Sequence, residues 1–307
     1  MTDMGSEISS EIVRIGGLFK RKKMTMRIKK RKPIIAALLS STVPGLGQAY
    51  NGQIIKGGIF FLATFLLLFF LSLTGLQFQF YGMIALILLV LFFWMFITGE
   101  AFFAAVKIKE TTLKQYNKWY IYLLLALLAF GIDIITTDFF VNKVLSIQSY
   151  KFVTKSMQPT LLKGDYIMVN LKYFKTKDLQ RGDLVIFKYP KEPSKDFLKR
   201  VIAMEGDKLE IKNKQVYIND KPITEDYKIH LDSMVISKKD DSPYYDSMRD
   251  NFGPEHVPSD HCFVLGDNRD RSLDSRYWGY LPLHNIKGKA AYVYWSKDIL
   301  RIGMKLK

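Results

Sequence analysis

Arg181-Gly182-Asp183-Leu184-Val185-Ile186-Phe187 and Phe197-Leu198-Lys199-Arg200-Val201-Ile202-Ala203-Met204-Glu205-Gly206-Asp207 are apolar, partly β-branched runs bounded by Gly-Asp pairs. Runs of this length read as strands, and the Gly-Asp pairs as tight turns. Working outward, Tyr166–Val169, Leu209–Ile211, Gln215–Ile218, Cys262–Leu265 and Ala290–Trp295 repeat the texture, with Lys163-Gly164-Asp165 and Asn219-Asp220 as further turns. No helix-length amphipathic pattern intervenes. Closely spaced strands of this kind predict antiparallel sheets or a partly open barrel. Residues 223–258, containing Asp240-Asp241-Ser242-Pro243 and Phe252-Gly253-Pro254, are more polar and read as an inserted irregular subdomain.

The first half of the chain has a different character. Residues 57–76, 82–106 and 119–137 are almost free of charge. At 1.5 Å per residue each is long enough to cross a hydrocarbon layer about 30 Å thick. The expected fold is therefore an α-helical membrane anchor followed by a mainly-β domain. Residues 1–32 form a basic cytoplasmic tail, 33–141 a membrane region and 142–307 an extracytoplasmic β-rich domain. Within 33–49, the apolar stretch Ile34–Val43 is too short to span and is broken by Pro44-Gly45-Leu46-Gly47. It reads as interfacial or re-entrant; a span, or a cleaved signal sequence, are the alternatives. Pro44-Gly45-Leu46-Gly47-Gln48-Ala49-Tyr50-Asn51-Gly52 with Lys56-Gly57 resembles the helix-linking motif of small bacterial two-span membrane modules, a likeness that implies no chemistry.

The formal charge of +16 owes much to Lys20-Arg21-Lys22-Lys23 and Arg27-Ile28-Lys29-Lys30-Arg31-Lys32, immediately before the first apolar segment. Basic flanks there orient membrane proteins and attract anionic lipid, so nucleic acid is not expected as a partner. The segment with Lys107, Lys109, Lys114 and Lys118 against Glu110 is expected in the cytoplasm, and the uncharged turn Leu76–Tyr81 outside. Cys262 is the only cysteine, which rules out an intramolecular disulfide and a cysteine metal cluster. No cofactor is expected.

Two local sequences carry candidate chemistry: Ser156-Met157-Gln158-Pro159-Thr160-Leu161, and the strand around Lys199. A serine hydroxyl that attacks amides needs a base, and a lysine serves if its surroundings keep it neutral. Alternation puts Phe197 and Val201 on the same strand face as Lys199, and apolar neighbours disfavour the ammonium form. The four histidines, His230, His256, His261 and His284, lie in no triad-like context. A third cluster, Gly266-Asp267-Asn268-Arg269-Asp270-Arg271-Ser272-Leu273-Asp274-Ser275-Arg276-Tyr277-Trp278-Gly279, is dense in charge and turn residues.

Taken in order, these motifs resemble the bacterial type I signal peptidase (leader peptidase) family over roughly 147–296. Ser156-Met157-x-Pro159-Thr160-Leu161 looks like its nucleophile box and Arg181–Phe187 like its following strand. Lys199-Arg200-Val201-Ile202 with Gly206-Asp207 is similar to its lysine box, and Gly266–Gly279 to its closing box. The resemblance implies a membrane-bound endopeptidase that removes signal peptides from exported preproteins in the bacterial cytoplasmic membrane. Ser156 would be the nucleophile and Lys199 its general base. Ser272 would hydrogen-bond the lysine amine, with Asp274 and Arg276 as structural partners. Thr154 stands where many relatives place an oxyanion-stabilising serine. Met157, Leu161, Phe197 and Leu198 are candidates for lining shallow substrate pockets. Implied partners are preproteins, the lipid bilayer and the secretion translocon. The alternative is an inactive, membrane-anchored binding or assembly module on the same fold. The self-cleaving repressors that share a serine–lysine dyad are soluble and lack the closing pattern.

Overall fold

The computed structural model describes residues 28–108, 111–112, 118–138, 145–176, 178–236 and 247–306, so most of the expected basic tail lies outside the described residues. Contacts divide the chain into two units: residues up to 64 with 92–130, and 65–91 with 131 onward.

The first unit pairs β1 (Ile28–Lys29) with β2 (Thr111–Thr112) and then turns helical. Helix α1 (Pro33–Thr42) has proline at its start, where the missing N–H costs nothing. Its ten residues rise about 15 Å, too little to cross a bilayer core. Helix α2 (Leu46–Tyr50) follows, then α3 (Ile54–Leu73), α4 (Phe80–Lys107) and α5 (Trp119–Asp138), of which residues 65–73, 80–91 and 131–138 count with the second unit. The glycines of the 44–57 motif let backbones touch. A Cβ at Gly45 would lie 2.0 Å from Gly57 O, and one at Gly47 would lie 2.0 Å from Ala36 O. Polar side chains complete the joint. Gln48 Nε2 donates to Ile97 O (2.9 Å) and to Glu100 Oε2 (2.8 Å), Asn51 Nδ2 donates to Ala101 O (2.8 Å), and Glu100 also pairs with Lys56.

Helices α3 and α4 carry mean hydropathies of 2.4 and 2.6, yet only 6% and 11% of their most apolar stretches are buried. A core helix of a soluble protein would be mostly covered, so these two, with their apolar surface left open, are candidates for a membrane anchor. They run about three residues ahead of the expected 57–76 span and slightly beyond both ends of 82–106. The third expected span, 119–137, is helix α5, whose described apolar part is Trp119–Gly131.

The second unit is built from antiparallel strands. A seven-stranded sheet has the order β12 (Leu281–Pro282), β11 (His261–Leu265), β6 (Asp196–Met204), β5 (Leu184–Lys188), β13 (Ile286–Trp295), β4 (Tyr166–Asn170), β3 (Ile147–Lys151). A second sheet runs β10 (Phe252–His256), β7 (Lys208–Lys212), β8 (Gln215–Ile218), β9 (Lys221–Pro222). The expected insertion at 223–258 therefore ends in a strand. Phe252–His256 pairs with β7 across a register shift that contains Gly253 and Pro254, and this irregularity hides its two-residue period. The turn between α3 and α4 also belongs to this unit. Tyr292 Oη, on β13, donates to Gln77 O at 3.2 Å, and the Tyr292 ring meets Phe80 edge-on at 5.9 Å.

Strand β6 lies between β5 and β11, and every side chain from Leu198 to Ala203 is buried. That includes Arg200, whose Nε and Nη2 each donate to a different oxygen of Asp267 at 2.8 Å while Nη1 donates to Gly182 O. Thr160 Oγ1 adds a 2.5 Å bond to the same carboxylate. Removing one partner of a buried pair strands the other charge. Arg200→Met should therefore destabilise the fold by about 3–5 kcal/mol, read as a lowered urea-denaturation midpoint of the full chain in detergent. An unchanged midpoint would show that Asp267 does not depend on this arginine.

Candidate active site

Ser156 follows β3, in a loop whose backbone is tied on two sides. Ser156 O accepts from Asn268 N (3.1 Å), and Lys155 O accepts from Asn268 Nδ2 (3.2 Å). Lys199 reaches the same place from the centre of β6, where Val185 on β5 is its register partner. Its Nζ lies 3.0 Å from Ser156 Oγ and donates to Leu198 O at 3.1 Å. Ser156 is 6% exposed and Lys199 is 4% exposed, so bulk water reaches neither freely. Residues 43 positions apart thus meet through the pairing of β6 with β5 and the bracing of the serine loop by Asn268.

Burial pushes the Lys199 amine down from 10.5 to about 8; the carboxylates of Asp274 and Asp267 oppose that fall and Arg276 adds to it. The acids are themselves neutralised. Arg276 Nε donates to Asp274 Oδ1 at 2.8 Å and Nη2 donates to Oδ2 at 2.9 Å. Burial alone would raise the Asp274 carboxyl, but the adjacent guanidinium holds it below the usual carboxylate range. Phe197 and Val201 belong to the apolar cluster on Lys199's own strand face, together with Val185 and Phe187. The amine therefore sits among hydrocarbon with no acid paired to it directly.

Thr154 Oγ1 is 3.0 Å from Ser156 Oγ and accepts from Ser156 N at 3.4 Å. An exposed hydroxyl and a backbone N–H thus converge beside the serine oxygen. Ser272 lies beside the serine loop, near Gly266, but makes no hydrogen bond to Lys199. Lys199 Nζ bonds to Ser156 and Leu198, whereas Ser272 Oγ is buried with no hydrogen-bond partner. It leans on Gly266 and toward Asp274, close enough to help keep that carboxylate ionised but short of bond geometry. The expected Ser272–Lys199 bond is not formed in this structure; besides Ser156, the lysine amine bonds to the Leu198 carbonyl. Asp274 and Arg276 form the buried pair described above.

The pocket expectations also change. Met157 and Leu161 are completely buried and Leu198 is 5% exposed, all three in one core cluster with Ile186 and Val169. Met157 and Leu161 are core because no part of them faces open space. Phe197 is only partly buried, its ring stacked on Tyr189 at 4.4 Å. Asn268 is the residue that motif reading passed over. Its signal in sequence was its place in Gly266-Asp267-Asn268, a run of turn-forming residues at the start of the closing cluster. Gly266 permits the whole arrangement, since a Cβ there would lie 2.2 Å from Ser272 Oγ and 2.5 Å from Ser156 O.

The family profile described as signal peptidase, peptidase S26, matches residues 116–295 of this chain. The signal peptidase I of Aquifex aeolicus (strain VF5) is 32% identical over 197 residues, covering 50% of this chain and 77% of the relative. That of Pseudomonas fluorescens is 32% identical over 187 residues, 49% of this chain and 65% of the relative. A solved signal peptidase I from Enterococcus faecalis V583 is 30% identical, with a TM-score of 0.29, covering 37% of this chain and 97% of that one.

A lysine titrating near pH 8 is separable from surface lysines, which titrate above 10. NMR of ¹³C-labelled lysine side chains in the full chain should show one amine, absent from Lys199→Met, with a midpoint near 8. A Lys199 midpoint above 10 would contradict the account of its burial.

Proposed function

Because this chain belongs to the signal peptidase family, peptidase S26, we propose that it cleaves signal peptides from exported preproteins with Ser156 as nucleophile and Lys199 as general base. The observation that carries this reading is the 3.0 Å contact between Lys199 Nζ and Ser156 Oγ in a buried setting.

In the neutral form the Lys199 nitrogen has a lone pair, and the same 3.0 Å contact lets the Ser156 hydroxyl donate to it. As the serine oxygen bonds to the scissile carbonyl carbon, its proton passes to Lys199. The carbonyl π electrons move to oxygen, where the Ser156 N–H and the Thr154 hydroxyl stabilise the new charge. Lys199 then gives its proton to the departing amine as the C–N bond breaks, leaving an acyl ester on Ser156. Water, deprotonated by the same lysine, cleaves that ester and restores the hydroxyl. Asn268 and the Leu198 carbonyl act as positioning groups; Asp274 and Arg276 hold the loop and offset each other's charge. Substrate side chains next to the scissile bond would pack near Phe197.

The membrane reading follows from the anchor. Helices α3 and α4 share the turn that docks on β13, a contact that favours having that turn and the β-rich unit on one side of the membrane. The lysine-rich segment beyond α4 favours the cytoplasm, which puts the peptidase unit outside, with α5 as a further crossing. There it meets signal peptides as the secretion translocon releases them.

Ser156→Ala and Lys199→Ala should each lower kcat/KM for a purified signal-peptide-bearing precursor by about 10³-fold or more, while the circular dichroism spectrum is retained. Near-full activity in either folded variant would refute the assignment.

A further inference from the structure

Arg31 is 5% exposed, yet its Nε and Nη2 have no hydrogen-bond partner. Those two nitrogens are the side-on fork with which a guanidinium grips phosphate or carboxylate oxygens bidentately. Leaving such a group buried and unsatisfied is costly, so native structures rarely do it. The side chain is held firmly in place. Its guanidinium carbon lies 4.6 Å from the centre of the Tyr50 ring, which in turn packs edge-on against Tyr122 at 5.7 Å.

Tyr50 Oη accepts the Lys32 N–H at 3.3 Å, and Lys32 is the N-cap of α1. One ring thus marks both the guanidinium fork and the start of a ten-residue helix. That helix start has no side-chain cap and no acidic residue in its first turn. Its free N–H groups and the positive end of its dipole favour an anion. Lys30 and Lys32, both exposed, flank the position and raise the local potential. On the outer surface of α1, Ile34 and Leu38 lie one turn apart and are 68% and 60% exposed.

We infer that Arg31 and the start of α1 form a binding site for an anionic phospholipid, with the headgroup phosphate on the guanidinium fork and the acyl chains along Ile34 and Leu38. A free phosphate would use only the first half of this surface; a phospholipid uses both. The site is independent of the chemistry assigned to Ser156 and Lys199.

The test uses the full chain in mild detergent, titrated with phosphatidylglycerol or phosphatidylcholine in mixed micelles, with bound lipid counted by native mass spectrometry. The wild type should retain one phosphatidylglycerol in preference to phosphatidylcholine. Arg31→Gln should weaken that retention by about tenfold or more, and Arg31→Lys nearly as much, since lysine keeps the charge but lacks the fork. Lys30→Gln should change it by less than about twofold. Wild-type retention by either Arg31 variant, or an equal loss in Lys30→Gln, overturns the site in favour of diffuse charge. Displacement of the lipid by millimolar inorganic phosphate, or equal retention of phosphatidylcholine, overturns the lipid assignment. Arg31→Gln should cleave precursor in detergent at the wild-type rate, which shows that it is folded. If it does not fold, Arg31→Lys carries the test alone.

Discussion

The architecture of the β-rich unit turns on burying one amine inside protein, where its charged form is disfavoured. Lys199 is buried on a central strand, and its pKa falls to about 8 because burial outweighs the nearby acids. For that balance to hold, each buried acid near the site has its own arginine: Asp267 has Arg200, Asp274 has Arg276, and Glu225 has Arg269. An unpaired carboxylate in their place would pull the amine back toward its ordinary range. The arrangement has a thermodynamic consequence. The folded-state pKa lies below the unfolded one, so the unfolded chain binds more protons between about pH 8 and 10.5. Burial of Lys199 therefore weakens the fold most below about pH 8, and the penalty fades as pH rises toward 10.5.

How much of this the sequence discloses depends on how local each signal is. Strands such as Tyr166–Val169 and Leu184–Phe187 are legible because their apolar runs end in Gly-Asp turns, and the long apolar helices are legible by length alone. Strand β10 is not, because Gly253 and Pro254 sit inside a bulge and remove the alternation. Strands β9 and β12 are two residues long and leave no periodic trace. At the site, motif spacing marks Ser156 and Lys199, but their meeting comes from the register of β6 against β5 and from Asn268, and neither register nor a bracing amide has a one-dimensional signature. The same limit explains Met157 and Leu161. Proximity to the serine in sequence suggested pocket lining, yet the loop folds them inward to fill the core.

The amino-terminal half follows a separate logic. The Pro44–Gly57 motif runs from the end of α1 into the start of α3, and its physical content is close backbone approach at Gly45 and Gly47, joined by Gln48, Asn51 and the Lys56–Glu100 pair. Polar groups placed that way in an apolar setting satisfy one another and fix the helices. Not every polar atom is satisfied in this way: Arg31 Nε and Nη2, Asn51 Oδ1 and Gln53 Oε1 are buried without a partner among the described residues, and Arg31 is the one that carries a charge.

In the proposed mechanism everything converges on the nucleophilicity of one oxygen, and a trapped intermediate reports on it directly. Rapid acid quench after mixing the full chain with a signal-peptide ester, followed by peptide mass spectrometry, should find the acyl adduct on Ser156, in the segment between Lys155 and Lys163. The adduct should form in the wild type and be missing from Lys199→Ala. An adduct on a different residue, or undiminished acylation of Ser156 without Lys199, would contradict the account.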